Sequence, residues 1–183
     1  QDHVLPPKLY ENKMSDVDLV VPTTINFSRP VLRYAKKMGK LIAVDLHAIS
    51  DLNDVFLDEF INGADIIFLS DAMIQDRLET FMLDVKKKAN PKLIVCGMGE
   101  KGLSYLTDQS DQILYMKPYQ KIKAVNTVGA GDALFASFLY FYLKQYDIES
   151  SLIFAQRFAA EKILSSGGSK GFMTEKEVTQ SFL

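Results

Sequence analysis

The sequence has few of the residues that build disulfides and structural metal sites. It contains one cysteine, two histidines and no tryptophan among 183 residues. A single cysteine cannot form an internal disulfide, so we expect a reducing compartment and predict a cytoplasmic location. Because His3 and His47 are far apart, a structural zinc site is disfavoured, and the sequence indicates no metal-ligating residues. Cys96 lies in the apolar run LIVC, which indicates a buried small residue and not a nucleophile.

Long apolar runs and an excess of basic charge are also lacking. No apolar stretch is long enough to cross a bilayer and no signal peptide is recognisable, so we expect no membrane partner. The formal net charge is -2. This balance disfavours nucleic acid as a partner, because proteins that bind a phosphate backbone usually present a basic face. With 48% hydrophobic residues, the chain can bury the core of one ordinary domain.

Strand-like and helix-like segments alternate over the first half of the chain. Apolar runs predict strands, and the amphipathic segments between them predict helices; the strands are at 17–21, 41–46, 65–70 and 92–97, and the helices at 28–39, 54–64 and 71–89. Ser28 is the expected cap of the first helix, and Gly63 is expected to close the second. Continuous apolar strands separated by helices predict a mostly parallel sheet with helices on both faces. Residues 1–16 lack periodicity, which predicts an irregular lead-in.

The alternation changes after residue 97. The segments 102–108 and 111–125 predict short antiparallel strands, and apolar stripes predict helices near 130–145 and 150–165. Thr174, followed by Glu177 three residues later, predicts a capping box for a last helix. We find neither an internal repeat nor a domain linker.

Residues 97–102, GMGEKG, match the glycine pattern of dinucleotide-binding turns. That fold requires a helix directly after the turn and an acidic residue about 20 residues later. The following segment, LSYLTD, has the composition of a strand, which favours a tight turn between strands. A glycine turn at the carboxyl end of a parallel strand could also let a nucleotide approach the backbone.

Residues 126–132, NTVGAGD, come directly before an apolar helix. The first N–H groups of a helix lack partners, and Gly129 and Gly131 let the backbone approach a ligand, so this turn can hold an anion. Thr127 adds a hydroxyl. Asp132 would repel a phosphate, but it suits a general base that takes a proton from an alcohol during phosphoryl transfer. Acids in a first helical turn and Gly-x-Gly turns are also common without such activity.

The segment NTVGAGDALFASFL (126–139) resembles the D-T-x-G-A-G-D signature of the ribokinase-like (PfkB) carbohydrate and nucleoside kinases. KLIVCGMGEKG (92–102) resembles their strand and nucleotide-binding turn, whereas the Walker pattern and the protein-kinase catalytic loop are absent from the sequence. The resemblance implies a three-layer ribokinase-like α/β fold with a small antiparallel section. Residues 17–183 would be the C-terminal, nucleotide-binding part of that domain.

The same resemblance implies roles for individual residues. Asp132 would deprotonate the acceptor hydroxyl, and the anion hole would consist of Gly129, Ala130 and Gly131. Nucleotide-binding positions would be Thr127, Gly99, Gly102, Ser166 and Gly168. Members of this family transfer phosphate from ATP, with Mg²⁺, to a primary alcohol of a small sugar or nucleoside. The loop around Ser166 and Gly168 would also border a monovalent-cation site for K⁺.

The sequence departs from the family pattern in several places. Asn126 replaces the acid that opens the signature, which should weaken a cation site, and Gly97 stands where a threonine is frequent. The segment 68–76 replaces an N-x-x-E motif that organises magnesium and phosphate. Asp71 and Asp76 are candidates to substitute for it, and the sequence favours neither.

Family members have about 300 residues, as single α/β domains can. Their N-terminal strands, lid and most sugar contacts would precede this chain, so we expect either a portion of a longer kinase or a truncated product. Exposed strand edges would favour pairing, as in a homodimer. Asp45 and His47 follow a strand where ligands could bind, although a local role for both is favoured. Two alternatives stay open: a non-catalytic binding module, and a kinase for a pyridoxal-like or hydroxymethylpyrimidine-like vitamin.

Overall fold

The computed structural model describes residues 5–120, 123–167 and 170–180. The chain divides into two compact units. The sheet unit comprises Gln1–Met98 and Ser104–Tyr115, and the helical unit comprises Gly99–Leu103 and Met116–Leu183.

The described strands form one six-stranded sheet whose order follows the chain: β1 (Leu19–Val20), β2 (Leu41–Ala48), β3 (Ile66–Ser70), β4 (Leu93–Gly97), β5 (Leu103–Thr107) and β6 (Leu114–Met116). Strands β1 to β4 pair in parallel, with Leu19 opposite Leu41 and Ile66 opposite Leu93. Only residues 98–102 join β4 to β5, which is too short for a parallel crossover, so these strands are antiparallel. The predicted mostly parallel sheet with a small antiparallel section is therefore confirmed.

The described residues of the sheet unit form four α-helices. Helix α1 (Glu11–Met14) precedes β1, and the parallel strands are separated in turn by α2 (Arg29–Lys37), α3 (Val55–Gly63) and α4 (Leu78–Ala89). Their apolar residues pack with every second residue of the strands in one core, which includes Leu32, Phe60, Met82, Ile42, Ile67 and Ile94. Consecutive strand residues 66–69 and 93–96 are all buried. Both faces of the sheet are therefore covered, as continuous apolar strands require.

The start of α4 differs from the prediction. Residues 71–77 were expected to be α-helical, but they form two 3₁₀ turns, Asp71–Met73 and Gln75–Arg77. The Ser70 side chain accepts the N–H of Ala72 at 3.3 Å and caps the first turn, and Ile74 interrupts the helical backbone with a φ of -136°. The α-helix therefore begins only at Leu78.

The expected side-chain cap of α2 is wrong, whereas the expected end of α3 is confirmed. Ser28 does not cap α2, because its hydroxyl donates to the carbonyls of Thr23 and Ile25 instead. Gly63 is the last residue of α3, as predicted, and a Cβ at this position would come 2.9 Å from Cδ2 of Leu32. The small residue therefore allows α3 to pack closely on α2. The segment predicted as an irregular lead-in contains α1 and buries Met14.

The helical unit consists mainly of α5 (Ala130–Leu143), α6 (Ile148–Lys162) and α7 (Glu175–Thr179). Helices α5 and α6 pack against each other, and the Phe141 and Phe154 rings lie 4.7 Å apart between their centroids. Val178 of α7 is buried in the same cluster. The predicted capping box of Thr174 and Glu177 is confirmed. Within the part of the chain that the structure describes, no helix is both long and apolar enough to cross a membrane.

Gly102 ends a turn in the helical unit and packs closely against the backbone of residues 116–118. Its φ is 95°, and its N–H donates to the Gly99 carbonyl at 3.1 Å. A Cβ at Gly102 would overlap the Met116 carbonyl oxygen and lie 2.8 Å from backbone atoms of Lys117 and Pro118. Both the left-handed backbone and this contact require glycine.

We expect Gly102→Ala to lower the free energy of unfolding by roughly 2–4 kcal/mol, since it combines backbone strain with overpacking. The control is Gly39→Ala, because Gly39 also has a positive φ, 65°, but a Cβ there meets no atom within 4 Å. The control should lose only the strain of a left-handed residue, about 1–2 kcal/mol. Urea unfolding measures both, and equal losses would contradict the packing argument.

A cluster of charges joins α2 to α3. Glu59 of α3 accepts hydrogen bonds from Arg29 at 2.9 Å and from Arg33 at 3.0 Å. The hydrogen bond from Arg33 is the main cause that lowers the pKa of the Glu59 carboxyl; Arg29 adds to it and burial opposes it. The ionised carboxylate therefore stabilises the folded chain.

We expect Glu59→Gln to lower the free energy of unfolding at pH 7 by roughly 0.5–1 kcal/mol, the upper range for partly exposed pairs. Because the folded pKa lies below the ordinary value of 4.5, the difference should be complete above that value. It should disappear as pH falls through the folded pKa. Asp111→Asn is the control, because the Asp111 side chain is 83% exposed although it pairs with Lys86. A Glu59→Gln deficit that is unchanged at low pH would exclude the charge as its cause.

Candidate functional site

Helix α5 begins at a turn that has almost no side chains. Its N-cap, Gly129, has a φ of 79°, in the left-handed region that favours glycine. The N–H of Ala130 donates to the Thr127 carbonyl at 3.1 Å, and the N–H of Ala133 donates to the Gly129 carbonyl at 2.9 Å. The GAGD residues therefore form the first turn of a helix, as the sequence predicted.

The first turn of α5 presents unpartnered donors to open space. Among the described residues, no acceptor is found for the N–H groups of Gly131 and Asp132. Both residues are exposed, and a Cβ added to Gly131 would meet no atom within 4 Å. Free N–H groups at the positive end of a helix dipole form an environment that binds anions.

Asp132 is the third residue of α5 and places a carboxylate beside these donors. The side chain is exposed, so it can reach a bound molecule. A carboxylate at the edge of an anion-binding turn can accept a proton from an alcohol that is held within hydrogen-bond reach. The local geometry therefore places an exposed carboxylate beside the unpartnered N–H groups of a helix start.

The loop before α5 is held by its own hydrogen bonds. The Asn126 side-chain oxygen accepts the N–H of Val128 at 2.9 Å, as in an Asx turn. The N–H groups of Val125 and Asn126 donate to the Ile163 carbonyl at 2.9 and 3.1 Å, which ties the loop to the end of α6. Asparagine therefore supports the turn with its neutral oxygen, and a negative charge is not needed for this bond.

Lys162, the last residue of α6, is the polar residue that sequence reasoning missed. Its side chain is fully buried, at 0% exposure, and its Nζ donates to the carbonyls of Val128 and Gly167, the latter at 3.1 Å. Lys162 lies three residues after Ala159 and seven after Ala155, on the apolar stripe predicted for α6. A lysine on a buried stripe was the signal that could have revealed it.

The remaining predicted nucleotide-binding residues lie in two turns. Gly99 begins the 3₁₀ turn Gly99–Lys101 with a φ of 58°, and Ser166 is exposed after α6. Gly168 lies outside the described residues. Gly99 and Ser166 belong to the helical unit, as do Thr127, Gly102 and Asp132. Strand β5 follows the first turn directly, so the helix that a dinucleotide-binding fold would need is absent there.

Asp45 and His47 make local contacts at the end of β2. The N–H of His47 donates to Asp45 Oδ1 at 2.8 Å, and the His47 ring nitrogen Nδ1 lies 3.4 Å from Asp45 Oδ2. The pair accompanies a positive φ of 56° at His47, where the register between β2 and β3 shifts. These contacts agree with the local role that the sequence favoured.

Cys96 is buried in β4, as predicted. Burial, with a smaller effect from the charge of Asp71, raises the pKa of its thiol to about 12. The thiol is therefore protonated at neutral pH and is not an activated nucleophile.

No preformed metal cage is found among residues 5–120, 123–167 and 170–180, since no three His, Cys, Asp or Glu side chains are arranged to hold an ion. The candidates to replace the N-x-x-E motif differ in environment: Asp71 is buried and Asp76 is exposed. Mg²⁺ needs few protein ligands when it is bound through phosphates and water. The described residues therefore fit Mg²⁺ only as a companion of a nucleotide.

Known proteins resemble the chain in sequence and in structure. A model of the pfkB family of carbohydrate kinases matches residues 31–175. Deoxyribokinase from Salmonella typhi is 36% identical over 74 residues, which cover 40% of this chain and 23% of that protein. A microbiome-derived acarbose kinase superposes with a TM-score of 0.88 at 24% identity, covering 98% of this chain and 60% of the other. Arabidopsis thaliana ribokinase, complexed with ribose and ATP, gives 0.81 at 17% identity, with coverages of 97% and 59%.

The structural matches show a ribokinase-like fold. The chain spans about three fifths of the length of each of these two solved relatives. The family match covers most of the chain and includes the GAGD turn, the glycine turn after β4 and the loop after α6. Fold, sequence match and the order of these turns agree. The chain belongs to the PfkB family of carbohydrate kinases.

Proposed function

We propose that the protein transfers the γ-phosphate of ATP to a primary hydroxyl of a small sugar or nucleoside. Asp132 would act as the general base, and the turn of Gly129, Ala130 and Gly131 as the anion hole. The first turn of α5 carries this proposal, because it places unpartnered N–H groups in open space beside an exposed carboxylate. In this view residues 17–183 are the nucleotide-binding part of a ribokinase-like domain.

The proposed reaction follows from this arrangement. The acceptor hydroxyl gives its proton to the Asp132 carboxylate while its oxygen forms a bond to the γ-phosphorus. The bond between that phosphorus and the bridging oxygen breaks in line, and ADP leaves with the electron pair. Negative charge that spreads over the transferred group is stabilised by the N–H groups of Gly131 and Asp132 and by the helix dipole. The carboxylate repels phosphate but attracts the hydroxyl, so it favours this orientation.

The use of ATP with Mg²⁺ is supported by structural relatives. Arabidopsis ribokinase was solved with ribose and ATP, and a ribokinase II from E. coli was solved with ATP and Mg²⁺. In this chain we assign the nucleotide to a surface that includes Thr127, Gly99, Gly102 and Ser166; the assignment of Gly168, which lies outside the described residues, rests on the sequence alone. Gly102 has a packing role as well, because its backbone contacts exclude any side chain. Mg²⁺ would neutralise phosphate charge, bound mainly by phosphate oxygens and water.

A sugar acceptor is supported by the names of the relatives, which include a deoxyribokinase, a ribokinase and an acarbose kinase. The test is an assay of ATP consumption by the protein at its natural length, over panels of sugars, nucleosides and pyridoxal-like alcohols. Turnover with a sugar or nucleoside supports the proposal. Turnover only with the pyridoxal-like alcohols would indicate a vitamin kinase instead. Nucleotide binding without turnover would favour a non-catalytic binding module.

We expect Asp132→Asn to lower kcat by roughly 10²–10⁴-fold, the usual contribution of a general base. Nucleotide affinity should stay within a few-fold, because the free N–H groups remain. The matched control is Glu149→Gln, which removes another exposed acid from a first helical turn, that of α6. Both variants lose a similar interaction with a helix dipole, so only the first should lose turnover. Unchanged kcat in Asp132→Asn would remove this residue from the mechanism.

We expect Gly131→Ala to keep or raise stability, by up to about 1 kcal/mol, because alanine is the better helix former. The same methyl group would occupy the open space before the N–H groups and weaken nucleotide binding. Titration with nucleotide and urea unfolding measure the two effects. Ala136→Gly, at an exposed position of α5, is the control for helix propensity alone. An unaltered nucleotide affinity in Gly131→Ala would place the phosphate elsewhere.

A further inference from the structure

Two loops that border the proposed nucleotide site are joined by a buried positive charge. Lys162 Nζ donates to the carbonyl of Val128, in the loop before α5, and to the carbonyl of Gly167, in the loop after α6. Backbone carbonyls in such an arrangement are also the ligands that replace water around K⁺. The family resemblance implies a monovalent-cation site in this region. A K⁺ ion there would need carbonyl oxygens that are free to coordinate it.

The residues described here do not fit a K⁺ ion. The carbonyls of Val128 and Gly167 already accept hydrogen bonds from Lys162 Nζ, and the Asn126 side-chain oxygen accepts the N–H of Val128. Asn126 is also uncharged, so the loop lacks the negative side chain that would attract a cation. We propose that the Lys162 ammonium takes the place of the monovalent cation, so that the reaction needs no K⁺; this inference rests on the proposed function.

The burial of Lys162 supports a dedicated role for its charge. The side chain is 0% exposed, and lysine is rarely fully buried unless its charge is compensated. Removing an ammonium from water is costly, and here carbonyl dipoles replace the lost hydration. The ammonium has only donors, which matches a site made of acceptors. Because it is covalently attached to α6, this group does not have to be supplied from solution.

The contact with Val128 also orients the anion hole. In a planar trans peptide, the carbonyl of Val128 and the N–H of Gly129 point in opposite directions. When Lys162 holds the carbonyl, it also fixes the direction of that N–H at the start of α5. Asn126 holds the preceding peptide unit through the N–H of Val128. Lys162 is therefore a positioning residue, and it is not required to touch the substrate.

The first test uses the wild-type protein at its natural length. Turnover and thermal unfolding are measured in a buffer whose only monovalent cation is tetramethylammonium, and again with K⁺ at physiological concentration. We expect K⁺ to change neither kcat nor Tm beyond the effect of matched Na⁺. A K⁺-specific rise in either quantity would overturn the inference.

The second test replaces Lys162 with methionine, which is similar in length and uncharged. We expect Lys162→Met to lower kcat by roughly 10²-fold, the size of effect that misplacement of a reacting group can produce. The nucleotide KM should change little. K⁺ or NH₄⁺ should partly restore kcat and should raise the Tm of this variant, because both carbonyls are then available. Lys176→Met, at an exposed lysine of the same unit, is the control and should show neither change.

The results separate this inference from the proposed function. If the wild-type protein transfers phosphate to no acceptor, the proposed function fails, while the K⁺-dependent Tm of wild type and Lys162→Met still tests the cation replacement. If Lys162→Met does not fold, the wild-type comparison with and without K⁺ decides. Full turnover and an unchanged Tm in Lys162→Met without K⁺ would show that the ammonium has no positioning role.

Discussion

The left-handed backbone of Gly129 is the constraint on which the candidate site depends. With a φ of 79°, this residue turns the chain directly into α5 without a side-chain cap. The N–H groups of the first turn are therefore not used by a serine or aspartate at the N-cap, which leaves them open to solvent. A residue with a Cβ would either strain this turn or change its direction. The donor geometry and the position of Asp132 both follow from this single conformation.

A second group of contacts keeps that turn in place. Asn126, Ile163 and Lys162 bind backbone groups on both sides of Val128, and each bond runs to the loop before α5. The loop leads directly into α5 and has no regular secondary structure, so its shape depends on these hydrogen bonds. Such preorganisation suits the phosphoryl transfer proposed for this site, because that reaction is catalysed mainly by positioning and charge stabilisation.

Most of the fold could be predicted because its signals are local. The runs LIVC and IIFL are continuous and apolar, and their residues 93–96 and 66–69 are all buried in β4 and β3. The capping box at Thr174 depends on residues three positions apart, and it formed as expected. The errors at Ser28 and in residues 71–77 arose where nearby carbonyls or a competing serine cap changed the local preference. The roles of Asp132 and the GAG turn remain predictions.

By itself, the sequence determined the alternation of strands and helices, the burial of Cys96 and the position of a glycine turn before an apolar helix. These features depend on residues within a few positions of one another. Only the tertiary structure decided that Gly102 packs on the backbone of residues 116–118 and that Lys162 binds the carbonyls of Val128 and Gly167. Lys162 and Val128 are 34 positions apart, and no local sequence pattern specifies which distant carbonyl accepts a hydrogen bond from a buried ammonium. Helix packing brings them together, because it determines which groups share the space excluded from water.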